Sequence, residues 1–211
     1  MRAYKVELDL NNRQRTACLQ HAGAARWAYN YGLRRKLNAY KETGKSPSAI
    51  ELHRELNALK RKPVEEGGVP WMYEVSKAAP QEALRNLDQA FGHFFRRCKN
   101  GERVKGFPRF KSRKRGIGGF RLTGAIRATE THVQLPRLGA LRLKERGYLP
   151  TAVGEDVKVL SASVSEKAGR WFVSLQVEQE TPEPVLTTAH VVGVDVGVRI
   201  LAVTSDGKVF E

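Results

Sequence analysis

The chain has 211 residues, 41% of them hydrophobic, enough for one large or two small domains with a real core. Its formal charge is +15, from 37 Lys and Arg against 22 Asp and Glu. This surplus points to a polyanionic partner, nucleic acid ahead of a membrane surface.

Only two cysteines are present, Cys18 and Cys98, with no CxxC or CxxH spacing, which argues against a disulfide framework or a zinc site. The five histidines share no ligand spacing either and read as structural. The opening residues alternate instead of forming an apolar signal core, and no run of about 18 apolar residues follows. A cytoplasmic, nucleoid-associated protein without a membrane partner is therefore expected. The charge is uneven along the chain. Residues 1–115 carry 26 basic and 11 acidic side chains, whereas residues 116–211 carry 11 of each.

Tyr4, Val6, Leu8 and Leu10 alternate with polar residues, the period of a half-buried strand. Asn11 or Asn12 then caps a predicted helix with apolar positions Cys18, Ala22, Ala25, Tyr29, Leu33, Leu37 and Tyr40, ended by Thr43-Gly44-Lys45. Ser46-Pro47 signals a second helix, with Leu52, Leu56 and Leu59 inward, closed by Pro63 and Gly67-Gly68. A third has Pro80 in its first turn and Leu84, Leu87, Phe91, Phe94 and Phe95 on one face, with Gly101 beyond its end.

After residue 115 the period changes to two. Short alternating runs at Phe120–Leu122, Val133–Leu135, Leu141–Leu143, Val157–Val164 and Trp171–Val177 predict a small β-barrel or sheet. Glu180-Thr181-Pro182-Glu183-Pro184 reads as a linker. A second β-unit follows at Val191–Val196 and Ile200–Thr204, with Asp206-Gly207 as a hairpin turn.

Two segments carry candidate chemistry. Between Arg96 and Arg115 lie ten basic residues and one acid, Glu102. The cations are Arg96, Arg97, Lys99, Arg103, Lys105, Arg109, Lys111, Arg113, Lys114 and Arg115. Such a block repels itself unless a polyanion neutralises it, so these residues are candidate phosphate contacts. Phe107 and Phe110 inside the run either stack on bases or anchor the loop to the core. Arg34-Arg35-Lys36, with Arg13, Arg15 and Arg26 upstream, reads either as a second phosphate strip or as an ordinary helix surface. Trp27 and Trp71 read as core residues.

The second segment is Val191 to Val203, an apolar run around Asp195. A carboxylate there carries a desolvation cost that coordination of Mg²⁺ would offset, and Gly193 and Gly197 leave room beside it. The alternative is an Asp at a strand end bonded to neighbouring amides.

Three pieces in order resemble the TnpB/OrfB family of transposon-encoded RNA-guided DNA endonucleases, relatives of type V CRISPR effectors. They are Pro70-Trp71 leading into the Ala83–Arg97 helix, Gly106-Phe107-Pro108-Arg109-Phe110-Lys111-Ser112, and Gly193-Val194-Asp195-Val196-Gly197. Leu135-Pro136-Arg137-Leu138-Gly139 lies between the last two.

The resemblance implies an α+β fold. A first strand at residues 1–10 joins residues 116–180 in an OB-like β-barrel (wedge), a basic helix-turn-helix-like lobe is inserted at 11–115, and a linker at 181–187 leads to a RuvC/RNase H-like nuclease domain beginning at 188–211. It also implies guide RNA and target DNA as partners, and Asp195 as the first of three carboxylates holding Mg²⁺. Only 16 residues follow Asp195, and their acids, Asp206 and Glu211, match neither remaining catalytic carboxylate. The family's cysteine-rich zinc insertion is absent as well. Binding without cleavage by this chain alone is therefore expected, with a C-terminal nuclease half as a missing partner. The competing readings are a truncated, non-enzymatic RNA- or DNA-binding regulator and a plain helix-turn-helix DNA-binding protein.

Overall fold

The computed structural model describes residues 1–149, 157–179, 192–198 and 200–210. These fall into two compact units, residues 1–180 and 181–211. The proposed linker and Val191 lie outside the described residues.

In the first unit, β1 (Arg2–Asp9) turns Val6 and Leu8 inward, as its alternation requires. Next comes α1 (Asn12–Thr43), unbroken for 32 residues and so about 48 Å long. Asn11 starts it through a capping box, accepting from the Gln14 N–H while the Gln14 side chain accepts from the Asn11 N–H. Gly44 ends it in the left-handed region, φ 69°, where its N–H donates to the Tyr40 carbonyl. The inward stripe holds through Leu33, but Leu37 is half-buried and Tyr40 points into solvent. The helix outruns the core it packs against.

The second helix, α2 (Ala49–Arg61), begins two residues later than Ser46-Pro47 suggested, because Ser48 and Glu51 form the capping box. Leu52 and Leu56 are fully buried. In α3 (Ala78–Lys99), Leu84 and Leu87 are buried, but Phe95 is 62% exposed, so the predicted aromatic face leaves the core near its end. The three helices meet at Gly32, where an added Cβ would stand 2.7 Å from Leu84 Cδ2, 3.0 Å from Leu87 Cδ2 and 3.3 Å from Leu52 Cδ1. Glycine there lets the backbone of α1 approach its neighbours.

The remaining strands are β2 (Gly119–Leu122), β3 (Arg127–Ala128), β4 (His132–Leu135), β5 (Gly139–Leu143), β6 (Val157–Lys167) and β7 (Arg170–Gln179). With β1 they form a seven-stranded antiparallel sheet in the order β2-β6-β7-β1-β5-β4-β3. Ala168 (φ 54°) and Gly169 (φ 76°) make the two-residue β6–β7 turn, both in the left-handed region that such a tight hairpin needs.

Among the described residues the expected barrel does not close. Closure would require β2 to bond to β3, and β3 offers only Arg127 and Ala128, both paired to β4. The sheet is therefore open, with β2 and β3 as its edges. Helices and sheet share one hydrophobic core that runs from Val6 and Cys18 through Leu84 to Leu175.

His21 joins the two layers. Its ring lies 5.1 Å from Phe120 of β2, Nδ1 lies 2.8 Å from the Ala17 carbonyl, and Nε2 accepts the Ser76 N–H at 3.0 Å. Burial lowers its pKa, against a smaller opposing effect of the Ala17 bond. Burial likewise lowers that of His53, helped by Lys60, Arg85 and Lys77. Both rings bind protons more weakly folded than unfolded. Their contribution to stability is full above the ordinary value of 6.5 and is lost as pH falls through their depressed folded values. Urea melts should give a midpoint that holds at neutral pH, falls as pH drops below 6.5 and levels off below the depressed folded values. His21→Gln, which keeps a neutral acceptor, should flatten part of the drop.

In the second unit, β8 (Val194–Asp195), β9 (Ala202–Thr204) and β10 (Val209–Phe210) form an antiparallel sheet in the order β10-β9-β8. Asp206-Gly207 is the expected turn, with Gly207 at φ 84° and its N–H bonded to the Thr204 carbonyl at 2.9 Å. Among the described residues, no helix is long and apolar enough to cross a membrane.

Candidate nucleic-acid interface

The basic segment after α3 is held to the helices at defined points. Gly106, at φ 65°, has Arg97 Nη1 only 2.6 Å from where a Cβ would stand. Phe107 packs edge-on against Phe91 and Phe94, with centroids 5.6 and 5.1 Å away, and Pro108 is buried. Phe107 thus anchors the loop. Phe110, 46% exposed, has no aromatic neighbour among the described residues.

Farther along, Asn30 of α1 clamps the backbone of Lys111. Its amide donates to the Lys111 carbonyl at 2.9 Å, and its oxygen accepts the Lys111 N–H at 2.8 Å. The residue as a whole is exposed, but its ammonium sits 4.1 Å from the centre of the Tyr29 ring, and the loss of water there lowers its pKa. Ser112 then caps a single 3₁₀ turn, Arg113–Arg115, by accepting the Lys114 N–H. Arg26 of α1 donates to the Ile117 carbonyl at 3.3 Å and fixes the glycine-rich approach to β2.

This lashing makes a cleft of about 360 Å³ bounded by Arg26, Arg109, Phe110, Lys111, Arg115 and the backbone of residues 116–119. Arg26 is shared with a second cleft of about 630 Å³ along α1, lined by Trp27, Tyr31, Arg34, Trp71 and Glu74 among others. Trp71, read from sequence as core, is 39% exposed, and Trp27 is half-buried. A third cleft, about 950 Å³, lies beside the start of α3 and is lined by Lys77, Gln81, Thr123, Arg127 and Arg137, with no carboxylate in its wall. Arg137 holds a left-handed φ of 66° in the β4–β5 turn.

Lys77, Arg127 and Arg137 were not among the sequence candidates. The last two belong to a half with no net charge, so only their spatial grouping could single them out.

The sequence candidates separate into three groups. Arg34, Arg109, Lys111 and Arg115 line the two joined clefts. Arg96, Lys99, Arg103, Lys105, Arg113 and Lys114 are exposed on the end of α3 and the segment after it, Arg96 lying 3.0 Å from His93 Nδ1, while Arg97 pairs with Glu102 at 3.7 Å.

Arg35 and Lys36 are occupied inside the fold. Arg35 makes a bidentate pair with Glu55 at 2.9 and 3.1 Å, which raises its pKa and lowers that of Glu55. Tyr31 donates to the same carboxylate, and burial with that bond raises the phenol to about 12.

Lys36 is buried, ion-paired to Asp88 of α3 at 2.7 Å and bonded to the Pro47 carbonyl. The reading of Lys36 as a phosphate contact is thus corrected, because its side chain joins α1 to α3 and to the start of α2. Lys36→Met should cost about 1–3 kcal/mol of stability by leaving Asp88 unpaired. At a temperature where the variant is folded, its nucleic-acid affinity should stay within about twofold of wild type. A large loss of affinity in the folded variant would return Lys36 to the interface.

In the second unit Asp195 of β8 pairs with Val203 of β9 and is exposed. Ser205 Oγ accepts the Gly193 N–H at 2.9 Å beside it. Asp206 lies in the hairpin turn, 3.3 Å from the Lys208 ammonium, and hydrogen bonds from Thr204 foremost lower its pKa. No group of three or more His, Cys, Asp or Glu able to hold a metal occurs among the described residues. A two-metal nuclease site needs carboxylates converging from several elements, so these residues alone do not fit one.

A family model described as a helix-turn-helix domain, of the OrfB type, matches residues 1–45. That span takes in β1 and α1, and the turn at Gly44 leads on to α2. The chain is 30% identical over 219 residues to a candidate RNA-guided DNA endonuclease, InsQ, of Escherichia coli (strain K12), covering 100% of this chain and 49% of the relative. It is 30% identical over 208 residues to a protein named likewise from Streptomyces pristinaespiralis, covering 98% and 48%. A third so named, from Mycobacterium tuberculosis, is 29% identical over 229 residues, covering 99% and 49%.

Fold and matches together define an α+β chain with an OrfB-type helix-turn-helix region. The chain belongs to the TnpB/OrfB family. It spans about half the length of the curated relatives it matches.

Proposed function

We propose that this chain is the nucleic-acid-binding part of an RNA-guided DNA endonuclease, engaging a guide RNA and its target DNA. The observation that carries the reading is the pair of clefts joined at Arg26, where cations from α1 and from the basic segment converge beside exposed aromatic rings. Cations supply affinity for phosphates, and aromatic faces accept bases without demanding sequence. Residues 188–211 are read as the start of a RuvC-like domain after a linker at 181–187, with Asp195 as its first Mg²⁺ ligand. The segments 1–10 and 116–180 are read as the wedge, and 11–115 as the lobe inserted in it.

Purifying the chain from cells that carry its flanking DNA, sequencing any RNA that comes with it and incubating it with plasmid and Mg²⁺ tests the proposal. A discrete bound RNA and uncut plasmid are the expected result. Cleavage would mean that the carboxylates described here are not the whole site. A second reading, a DNA-binding regulator, draws on the helix-turn-helix match. It predicts tight duplex binding with no specific RNA.

A further inference from the structure

The two joined clefts differ in chemistry. The smaller is lined by cations and glycine backbone, as suits a phosphate. The larger carries three aromatic rings and a carboxylate, Glu74, which would repel a phosphate. Trp27 lies parallel to Tyr31, with centroids 5.1 Å apart and planes 7° apart, and Trp71 meets Trp27 at 89°.

Trp71 sits on a 3₁₀ turn, Pro70–Glu74, which is fixed by Pro70 at its start and by buried Met72 and Val75 on its inner side. The turn therefore presents a large, partly exposed indole from a rigid support, so little side-chain entropy is lost when something stacks on it. Tyr31 and Asn30 are already engaged, by Glu55 and by the Lys111 backbone. Gln20, Arg34 and Glu74 remain to meet a ligand edge.

From this arrangement we infer that the larger cleft receives one unpaired nucleobase, stacked on Trp71, from a strand whose phosphates lie on the adjoining Arg26, Arg109 and Arg115. A carboxylate accepts from exocyclic amino groups, so Glu74 favours cytosine over uracil or thymine. The volume of about 630 Å³ is within the ordinary range for pockets that hold small molecules. This inference rests on the polyanion reading above and adds a base-specific site to it.

The test uses the full chain with single-stranded oligomers of about twelve nucleotides. Oligocytidine, oligouridine and an abasic strand of equal length are compared, in ribo and deoxyribo forms, by intrinsic fluorescence and by affinity over a range of salt. Trp171 is buried, which leaves Trp27 and Trp71 as the reporting indoles.

Oligocytidine should quench fluorescence. Trp71→Ala should weaken its binding by about 5- to 100-fold with an unchanged salt slope, and Trp71→Phe should restore part of the loss. The abasic strand should be indifferent to both changes. Glu74→Gln should narrow the preference for cytidine over uridine. Dependence on Trp71 in either sugar series supports the site and identifies the strand, and dependence in neither overturns it. If neutralising the basic segment abolishes binding while Trp71→Ala does nothing, the base site is wrong and the polyanion reading stands. If wild type binds no oligomer at any salt, both fall.

Discussion

Replacing Arg109, Arg113, Lys114 and Arg115 together with Ala should lower affinity for single-stranded nucleic acid about a hundredfold or more near 0.1 M salt. The same change should reduce the slope of log K against log salt by about three. The magnitude follows from counterion release, in which each neutralised phosphate of a single strand contributes about 0.7 to the slope. All four side chains are exposed, and none makes an ion pair with a described residue. Their removal should therefore leave the melting temperature nearly unchanged. Filter binding over a salt series, with a melt of each variant, separates the outcomes. An unchanged slope would take the segment out of the interface, and a lowered melting temperature would show that it has a structural role.

The second large effect concerns the hub where the helices meet. Leu84 is fully buried, and its methyl fills the space beside Gly32, so Leu84→Ala opens a cavity that three packed helices cannot collapse into. A loss of about 2–5 kcal/mol is expected, seen as a shifted urea midpoint with little change in its steepness. The reverse change, Gly32→Val, pushes a branched side chain against Leu84, Leu87 and Leu52 and should cost a comparable amount through strain. If both variants melt like wild type, the helices do not pack at Gly32 as described. Because these helices also carry Arg26, Arg34 and the Asn30 clamp, partial unfolding at this hub should weaken binding without altering any contact residue.

Much of the fold was legible from periodicity. The spacing of Cys18, Ala22, Ala25, Tyr29 and Leu33 placed α1, and the alternation at Phe120–Leu122 and Trp171–Val177 placed β2 and β7. Local signals of this kind work because burial of one face needs only the sequence of that element. The open edge of the sheet was not legible, since closure depends on whether distant strands pair. Nor was β3, too short to show any alternation. For the candidate site, the density of charge between Arg96 and Arg115 was visible at once, but which aromatics face outward was not. Phe107 packs edge-on against Phe91 and Phe94 yet stays 45% exposed, and Trp71, with the look of a core residue, is 39% exposed.

The sequence by itself determined the sign and location of the charge, the order of helices and strands, and the motifs that mark the TnpB/OrfB family. These are properties of composition and of local spacing, where each residue counts regardless of its distant neighbours. The tertiary structure alone decided which charges are available to a ligand. Arg34 and Lys36 stand two residues apart on α1, roughly 200° around the helix, so one reaches the cleft beside Trp71 and the other is buried against Asp88. Both side chains are cations; what differs is the face that the packing of α3 covers.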